Sequence, residues 1–233
     1  MTEKSKRYDV IVTGAGPAGI FTVLELSARY PDRQILLVEK GSPIGRRVCP
    51  KRITGVCAGC EPCSITTGFA GAGAFSDGKL TLSPDVGGEL EHYLGRKKTE
   101  ELIDTADQLY LEAGADPVVH GAVQTEAIRR IRTKAIQSNL KLIDCPVRHM
   151  GTEVGREIYA HIEDRIRELP NVEMRFRDPV RDLIVEDGAA VGVETDSGVY
   201  TADKIVLAVG REGSEWLSDL CRAHGIATKT GKV

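Results

Sequence analysis

The sequence predicts a Rossmann-like α/β fold: three layers, a parallel sheet and a small antiparallel β insertion. Three observations predict it. The chain opens with an apolar strand, a glycine turn, an amphipathic helix and a second apolar strand. Its middle is dominated by apolar residues recurring at helical spacing. Its last third holds short apolar runs separated by tight turns, before one more buried strand runs into a glycine.

The opening stretch is "YDVIVTGAGPAGIFTVLELSARYPDRQILLVEKG". Val10 to Val12 form a continuous apolar run, which suits a strand covered on both faces. Gly14, Gly16 and Gly19 stand in G-x-G-x-x-G spacing, and Ile20, Val23, Leu24 and Leu26 then repeat with helical period. "QILLVE" is the second strand, ending at Glu39, twenty residues after Gly19. In a dinucleotide site each part has a task. Gly14 permits a tight turn, Gly16 admits a pyrophosphate close to the backbone, and Gly19 lets the helix pack on the strand. The helix N-terminus offers unpaired N–H groups and positive dipole to the phosphates. Glu39 can accept hydrogen bonds from a ribose diol, and its charge disfavours a 2′-phosphate, which argues against NADP. The candidate binding residues here are Gly14, Gly16, Pro17, Ala18, Gly19, Glu39 and Lys40.

An amphipathic helix is expected from about Lys98 to Ala113, with Leu102, Ala106, Leu109 and Ala113 on one stripe. A second starts near Thr125 and carries Ile128, Ile131 and Ala135. "LKLIDC", residues 140–145, reads as a short strand. A third helix follows Thr152, with Val154, Ile158, Ile162 and Leu169 as its buried edge and Pro170 as its stop. "VEMRF" is a strand, "VRDLIVEDGAAVGVETDSGVYTA" gives strands turning at Asp187-Gly188 and Ser197-Gly198, and "KIVLAVGR" is the last buried strand. Ser83 to Gly95 reads as an exposed excursion.

The chain has 233 residues, 41% of them hydrophobic, enough for a sizeable core, and a formal charge of −3. Nothing in that balance points to nucleic acid or an acidic membrane surface as partner. No stretch approaches the roughly 20 apolar residues of a bilayer span, and "MTEKSKRYDV" lacks an apolar signal core. A cytoplasmic location is expected, with oligomeric state left open.

The order of elements resembles the two-dinucleotide-binding-domain flavoproteins. "GFAGAGAFSDGKLTLS", "RHMGTE" and "IVLAVGREGSEWL" together resemble a family of FAD-dependent dehydrogenases that carry the block "GAGAFSDGKL". The resemblance spans nearly the whole chain and implies an FAD-dependent oxidoreductase (dehydrogenase) passing hydride or electrons from a small-molecule donor to an acceptor, with NAD(H) as one possible donor. It places the isoalloxazine near Gly73, Ala74, Ser76, Asp77 and Lys79, so that Ser76, Asp77 and Lys79 become candidate catalytic residues. It matches Val180 to the position whose backbone contacts adenine. It matches Gly210 to a second fingerprint usually ending A-T-G, here Ala208-Val209-Gly210. The resemblance also divides residues 1–233 into a βαβ unit over 7–40, a Cys/Gly-rich flavin loop over 45–83, a helical segment over 96–170, and the β excursion with second fingerprint over 172–212. A substrate domain is expected to be missing from this stretch. A non-catalytic FAD/NAD-binding module or sensor is the competing class. A P-loop-like NTPase, from Gly73 to Lys79, is the less favoured alternative, because Leu80 stands where a magnesium-binding hydroxyl is needed.

Cys49, Cys57, Cys60 and Cys63 fall within one fifteen-residue segment, the last three as C-x2-C-x2-C. Four thiolates suit an iron–sulfur cluster or structural zinc. Cys57 with Cys60 suits a redox dithiol, and inert loop thiols are the fourth alternative. Cys145 and Cys221 stand apart, and His149 reads as a structural hydrogen-bonder.

Overall fold

The computed structural model describes residues 6–229, which divide into two compact units: residues up to Ala74 together with those from Tyr159 onward, and Phe75–Ile158.

The first unit is built on a six-stranded sheet. Strand β1 (Lys6–Thr13) leads into helix α1 (Pro17–Arg29) and strand β2 (Ile35–Glu39), and a short helix α2 (Lys51–Thr54) follows. After the second unit the chain returns through strands β5 (Val172–Phe176), β6 (Val180–Glu186), β7 (Ala189–Thr195) and β8 (Gly198–Leu207), then helix α7 (Ser214–Ala223). The strand order is β5-β2-β1-β8-β7-β6. The four strands from β5 to β8 in that order are parallel neighbours, and β6 and β7 join by antiparallel pairing. β8 serves both parts: Gly198 to Thr201 pair with β7, while Tyr200 to Leu207 run beside β1.

The apolar runs become strands because parallel strands are covered on both sides. Every residue of β2 is buried, and Ile11, Val12 and Val23 have no exposed surface. Each such side chain contributes about 1.5–3 kcal/mol of burial. A second apolar cluster joins Tyr8, Ile11, Leu36, Val38, Val180, Leu183 and Val193 to Leu220 of α7, with Trp216 and Leu217 packed against it. The hairpin turns fall where the sequence places them, with Asp187 and Gly188 both at positive φ.

The second unit contains the two-stranded antiparallel ladder of β3 (Lys79–Thr81) and β4 (Val147–His149), and helices α3 (Leu90–Leu94), α4 (Arg96–Glu112) and α5 (Glu126–Gln137). Helix α6 spans Thr152–Arg167, and its residues from Tyr159 on belong to the first unit. Arg148 is buried and forks onto Asp107 of α4 at 2.6 and 2.7 Å. Thr125 caps α5, its Oγ1 accepting from Ile128 N at 3.3 Å.

Two expectations need correction here. "LKLIDC" is not a strand: Leu140 and Ile143 are exposed, and the ladder starts only at Val147, after Pro146, which has no N–H to donate. The predicted helical stripes are also only partly covered. Leu109 and Ala113 are buried but Leu102 is exposed, Ile158 and Ile162 are buried but Val154 is exposed, and α5 buries none of its residues. Periodicity reports which face is apolar; it does not report what lies against it.

Candidate functional site

The candidate site is a cleft of about 630 Å³ in the first unit, at the carboxyl ends of β1, β2 and β8. In open α/β sheets this is the edge at which ligands bind. Its lining includes Thr13, Gly14, Gly16, Pro17, Glu39, Lys40, Val180 and Gly210. Residues far apart in sequence thus meet as the glycine fingerprint, acidic strand end and second glycine turn require.

The local geometry follows from the glycines. Gly14 adopts φ +97°, and a Cβ there would lie 2.5 Å from the Ala208 carbonyl oxygen. A Cβ on Gly19 would come within 1.9 Å of the Gly14 carbonyl oxygen, so only glycine allows α1 to start this close to the strand end. Gly16 differs. A Cβ on it would meet no protein atom within 4 Å, which leaves its surroundings open to a ligand. Pro17 is the first residue of α1, whose N-terminus carries no side-chain cap. Its free N–H groups therefore remain for an anion. Ala18 and Gly19 belong to the same first turn.

Glu39 is 6% exposed, and its carboxylate organises the cleft wall. Oε2 accepts from Ala15 N at 2.7 Å, and Oε1 accepts from Gly41 N at 2.8 Å and Gly68 N at 3.1 Å. A carboxylate has about four lone-pair positions. Three are used, and Oε2 keeps one. The sequence reading gave Glu39 a ribose to bind; the structure adds a second task, tying the glycine turn to residues 41 and 68. Lys40 forms an ion pair with Glu212 at the cleft rim.

The wall facing the glycine turn comes from Thr66–Gly68, Gly71 and Ala72. Arg47 holds it. Its guanidinium, 1% exposed, donates to the carbonyl oxygens of Ser64 (3.0 Å), Ile65 (2.8 Å), Phe69 (2.5 Å) and Gly71 (2.7 Å). The sequence signals neither Arg47 nor Thr66 and Thr67, it holds Gly68 only as the first residue of the "GFAGAGAFSDGKLTLS" block, and Trp216 and Arg181 also line the cleft without having been predicted there. An arginine directed at carbonyl oxygens leaves no spacing signature.

The predicted flavin block is divided. Gly73 and Ala74 do not line the cleft: a Cβ on Gly73 would lie 3.0 Å from the Tyr159 hydroxyl, and Ala74 is buried at 1%. Ser76, Asp77 and Lys79 fall in the second unit. Lys79 Nζ pairs with Asp77 at 2.9 Å on the surface, and that hydrogen bond holds the Asp77 carboxyl below the usual carboxylate range.

The four clustered cysteines do not converge. Cys57, Cys60 and Cys63 are exposed and Cys49 half-buried, and among the described residues no group of three or more His, Cys, Asp or Glu side chains is placed to hold a metal ion. As placed, the thiols do not fit a four-thiolate cluster or zinc site. Cys63 has its own environment: the N–H groups of Ile65 and Thr66, with a smaller contribution from the Arg47 charge, pull its thiol pKa below the ordinary value. No helix among the described residues is long and apolar enough to cross a membrane.

No protein-family model matches the chain. It is 27% identical over 225 residues to an uncharacterized protein of Clostridium beijerinckii, covering 96% of this chain and 34% of that one. It is 24% identical over 242 residues to a glycine oxidase of Pseudomonas putida, covering 93% of this chain and 58% of that one. The fold resembles that of the Geobacillus kaustophilus glycine oxidase, with TM-score 0.55, 15% identity, and coverage of 96% of this chain and 60% of that one. It also resembles the L-proline dehydrogenase of P. horikoshii, with TM-score 0.51, 13% identity, and coverage of 97% and 58%. At these identities the structural likeness establishes the fold. The chain spans between one third and three fifths of the length of the proteins it matches.

Proposed function

We propose that this chain is the FAD-binding part of an FAD-dependent oxidoreductase of the dehydrogenase or oxidase type, acting on a small-molecule donor. The observation that carries the reading is the single cleft into which Gly14, Gly16, Glu39, Val180 and Gly210 all open. The similarity to glycine oxidase supports the same chemistry.

Each residue has a role at a stated atom. The N–H groups at the start of α1 receive the pyrophosphate, with Gly16 leaving room for its approach. The remaining lone pair on Glu39 Oε2 accepts a ribose hydroxyl. Val180, at the first position of β6, offers backbone polar groups to an adenine, and Gly210 lines the same cleft. Arg47 keeps the Ser64–Gly71 wall in place. FAD, when bound, supplies a two-electron acceptor, and the chain positions and tunes it. Ser76, Asp77 and Lys79 remain the proposed groups on the flavin side, NAD(H) a proposed electron donor, and the cytoplasm the proposed location. No step is assigned to the cysteines.

The groups assigned to the ADP half line the cleft whereas Ser76, Asp77 and Lys79 do not, so the AMP half of the nucleotide is expected to bind more firmly than the flavin half. Equilibrium dialysis against FAD, ADP and NAD tests this reading. Stoichiometric FAD binding, with ADP retaining most of the affinity, supports it. Failure to bind either FAD or ADP refutes it. FAD bound but never reduced by any of a broad donor panel, in the full-length protein, would identify a binding module instead.

A further inference from the structure

The floor of the cleft contains a polar group that the protein does not satisfy. Thr13 is the last residue of β1, the strand flanked by β2 and β8, and is 6% exposed. Its carbonyl accepts from Ala208 N at 2.8 Å, and in the ladders Thr13 pairs with Val38 and Leu207. Among the described residues, Thr13 Oγ1 is the buried side-chain oxygen or nitrogen with no hydrogen-bond partner. Buried hydroxyls are nearly always paired, because an unpaired one keeps its desolvation cost without return. An apolar residue would suit this position better if packing alone mattered. Valine has the same shape, and Ile11 and Val12 precede it on the strand.

The position says what the hydroxyl serves. Thr13 lines the same cleft as Gly14, Glu39 and Val209. It lies immediately before the glycine turn, and its register partner Val38 immediately precedes Glu39. It therefore stands between the expected pyrophosphate position and the expected ribose position. We propose that Thr13 is a ligand-contacting residue whose hydroxyl is completed by the nucleotide, through a hydrogen bond to the ribose-phosphate segment of the ADP half. Because Oγ1 is buried as it stands, the contact requires a turn about the Cα–Cβ bond to another staggered well. The inference rests on the dinucleotide reading above and specifies a contact that the glycine fingerprint does not contain.

The test compares the parent protein with Thr13→Val and Thr13→Ser, using ADP and FAD as probes in calorimetry or equilibrium dialysis, and follows the melting temperature without ligand. Thr13→Val removes the hydroxyl while keeping the shape. It is expected to weaken ADP and FAD binding about five- to tenfold, the loss of one neutral hydrogen bond, while the ligand-free protein melts at the same or a higher temperature. Thr13→Ser keeps the hydroxyl and should bind ADP within about twofold of the parent. Parent-like ADP affinity in Thr13→Val would overturn the proposal whatever the melting temperature, and a lowered melting temperature beside it would show that the hydroxyl serves the fold. A parent protein that binds neither ADP nor FAD defeats the dinucleotide reading itself, an outcome distinct from parent binding that ignores residue 13.

Discussion

The cleft wall and the cysteine segment lie next to each other in the chain and have opposite fates. Residues 64–67 carry no motif and residues 68–72 only the start of the glycine-rich block, yet they are drawn together by one buried arginine and one buried glutamate into a wall of the cleft. Residues 49–63 carry the densest motif in the sequence, yet three of their thiols stand on the surface, Cys49 is half-buried, and the four do not converge. A motif becomes a site when buried partners elsewhere in the chain fix its geometry. Spacing alone does not supply those partners.

The largest expected effect comes from breaking the wall. Arg47→Ala removes four hydrogen bonds from a buried guanidinium and strands their carbonyl acceptors. It should cost about 4 kcal/mol of stability, or prevent folding, measured by urea denaturation. A loss below about 1 kcal/mol would mean that the wall orders itself without the arginine. Arg47→Lys restores the charge but not the fork, and should recover only a minor part of the loss.

Glu39→Ala attacks the same wall from the other side. Three backbone N–H groups lose a charged acceptor, so a stability loss of about 2–3 kcal/mol is expected together with weakened FAD retention. Denaturation and dialysis on the same preparation separate the two roles. Lower stability with unchanged FAD affinity would leave Glu39 as a tether and remove it from the ribose.

Gly16→Ala should reverse that pattern. The new methyl meets no protein atom within 4 Å, and the backbone at φ −74° accepts alanine. Stability should therefore change by less than about 0.5 kcal/mol, while pyrophosphate approach is obstructed and FAD affinity falls about tenfold. Full FAD affinity in this variant would place the phosphates elsewhere.

The smallest effects are expected in the cysteine segment. Cys60→Ser, on an exposed side chain, should alter stability by less than about 0.5 kcal/mol. Cys63 still has a chemical signature. Backbone N–H groups lower its pKa, so its reactive thiolate is present at lower pH than in a free cysteine. Iodoacetamide labelling followed by mass spectrometry should therefore show its rate rising at lower pH than for N-acetylcysteine. A rise at the same pH would remove the special environment. Iron with acid-labile sulfide in anaerobically purified protein, lost in Cys60→Ser, would show that the segment rearranges around a cluster and is a site after all.

The sequence by itself determined the opening βαβ unit, the strands Val172–Phe176 and Val180–Leu207 with their turns, and the α/β class. Those features depend on local physics. Continuous apolar runs make strands covered on both faces, Gly14 and Gly19 stand where any Cβ collides with backbone, and Asp187-Gly188 supplies positive φ at a hairpin. Only the tertiary structure decided the rest. It brought Val180 and Gly210 to the glycine turn, because β8 pairs with β1 after the β6–β7 hairpin. It divided the "GAGAFSDGKL" block between two units and left the "LKLIDC" segment without a strand partner. It made Arg47 the tether of a cleft wall and left the Thr13 hydroxyl unpaired at the cleft floor. The physical reason is the same in each case. A strand, a turn or a helical stripe is encoded within a few residues, whereas the satisfaction of a buried polar group depends on which distant atoms the fold brings within hydrogen-bonding reach.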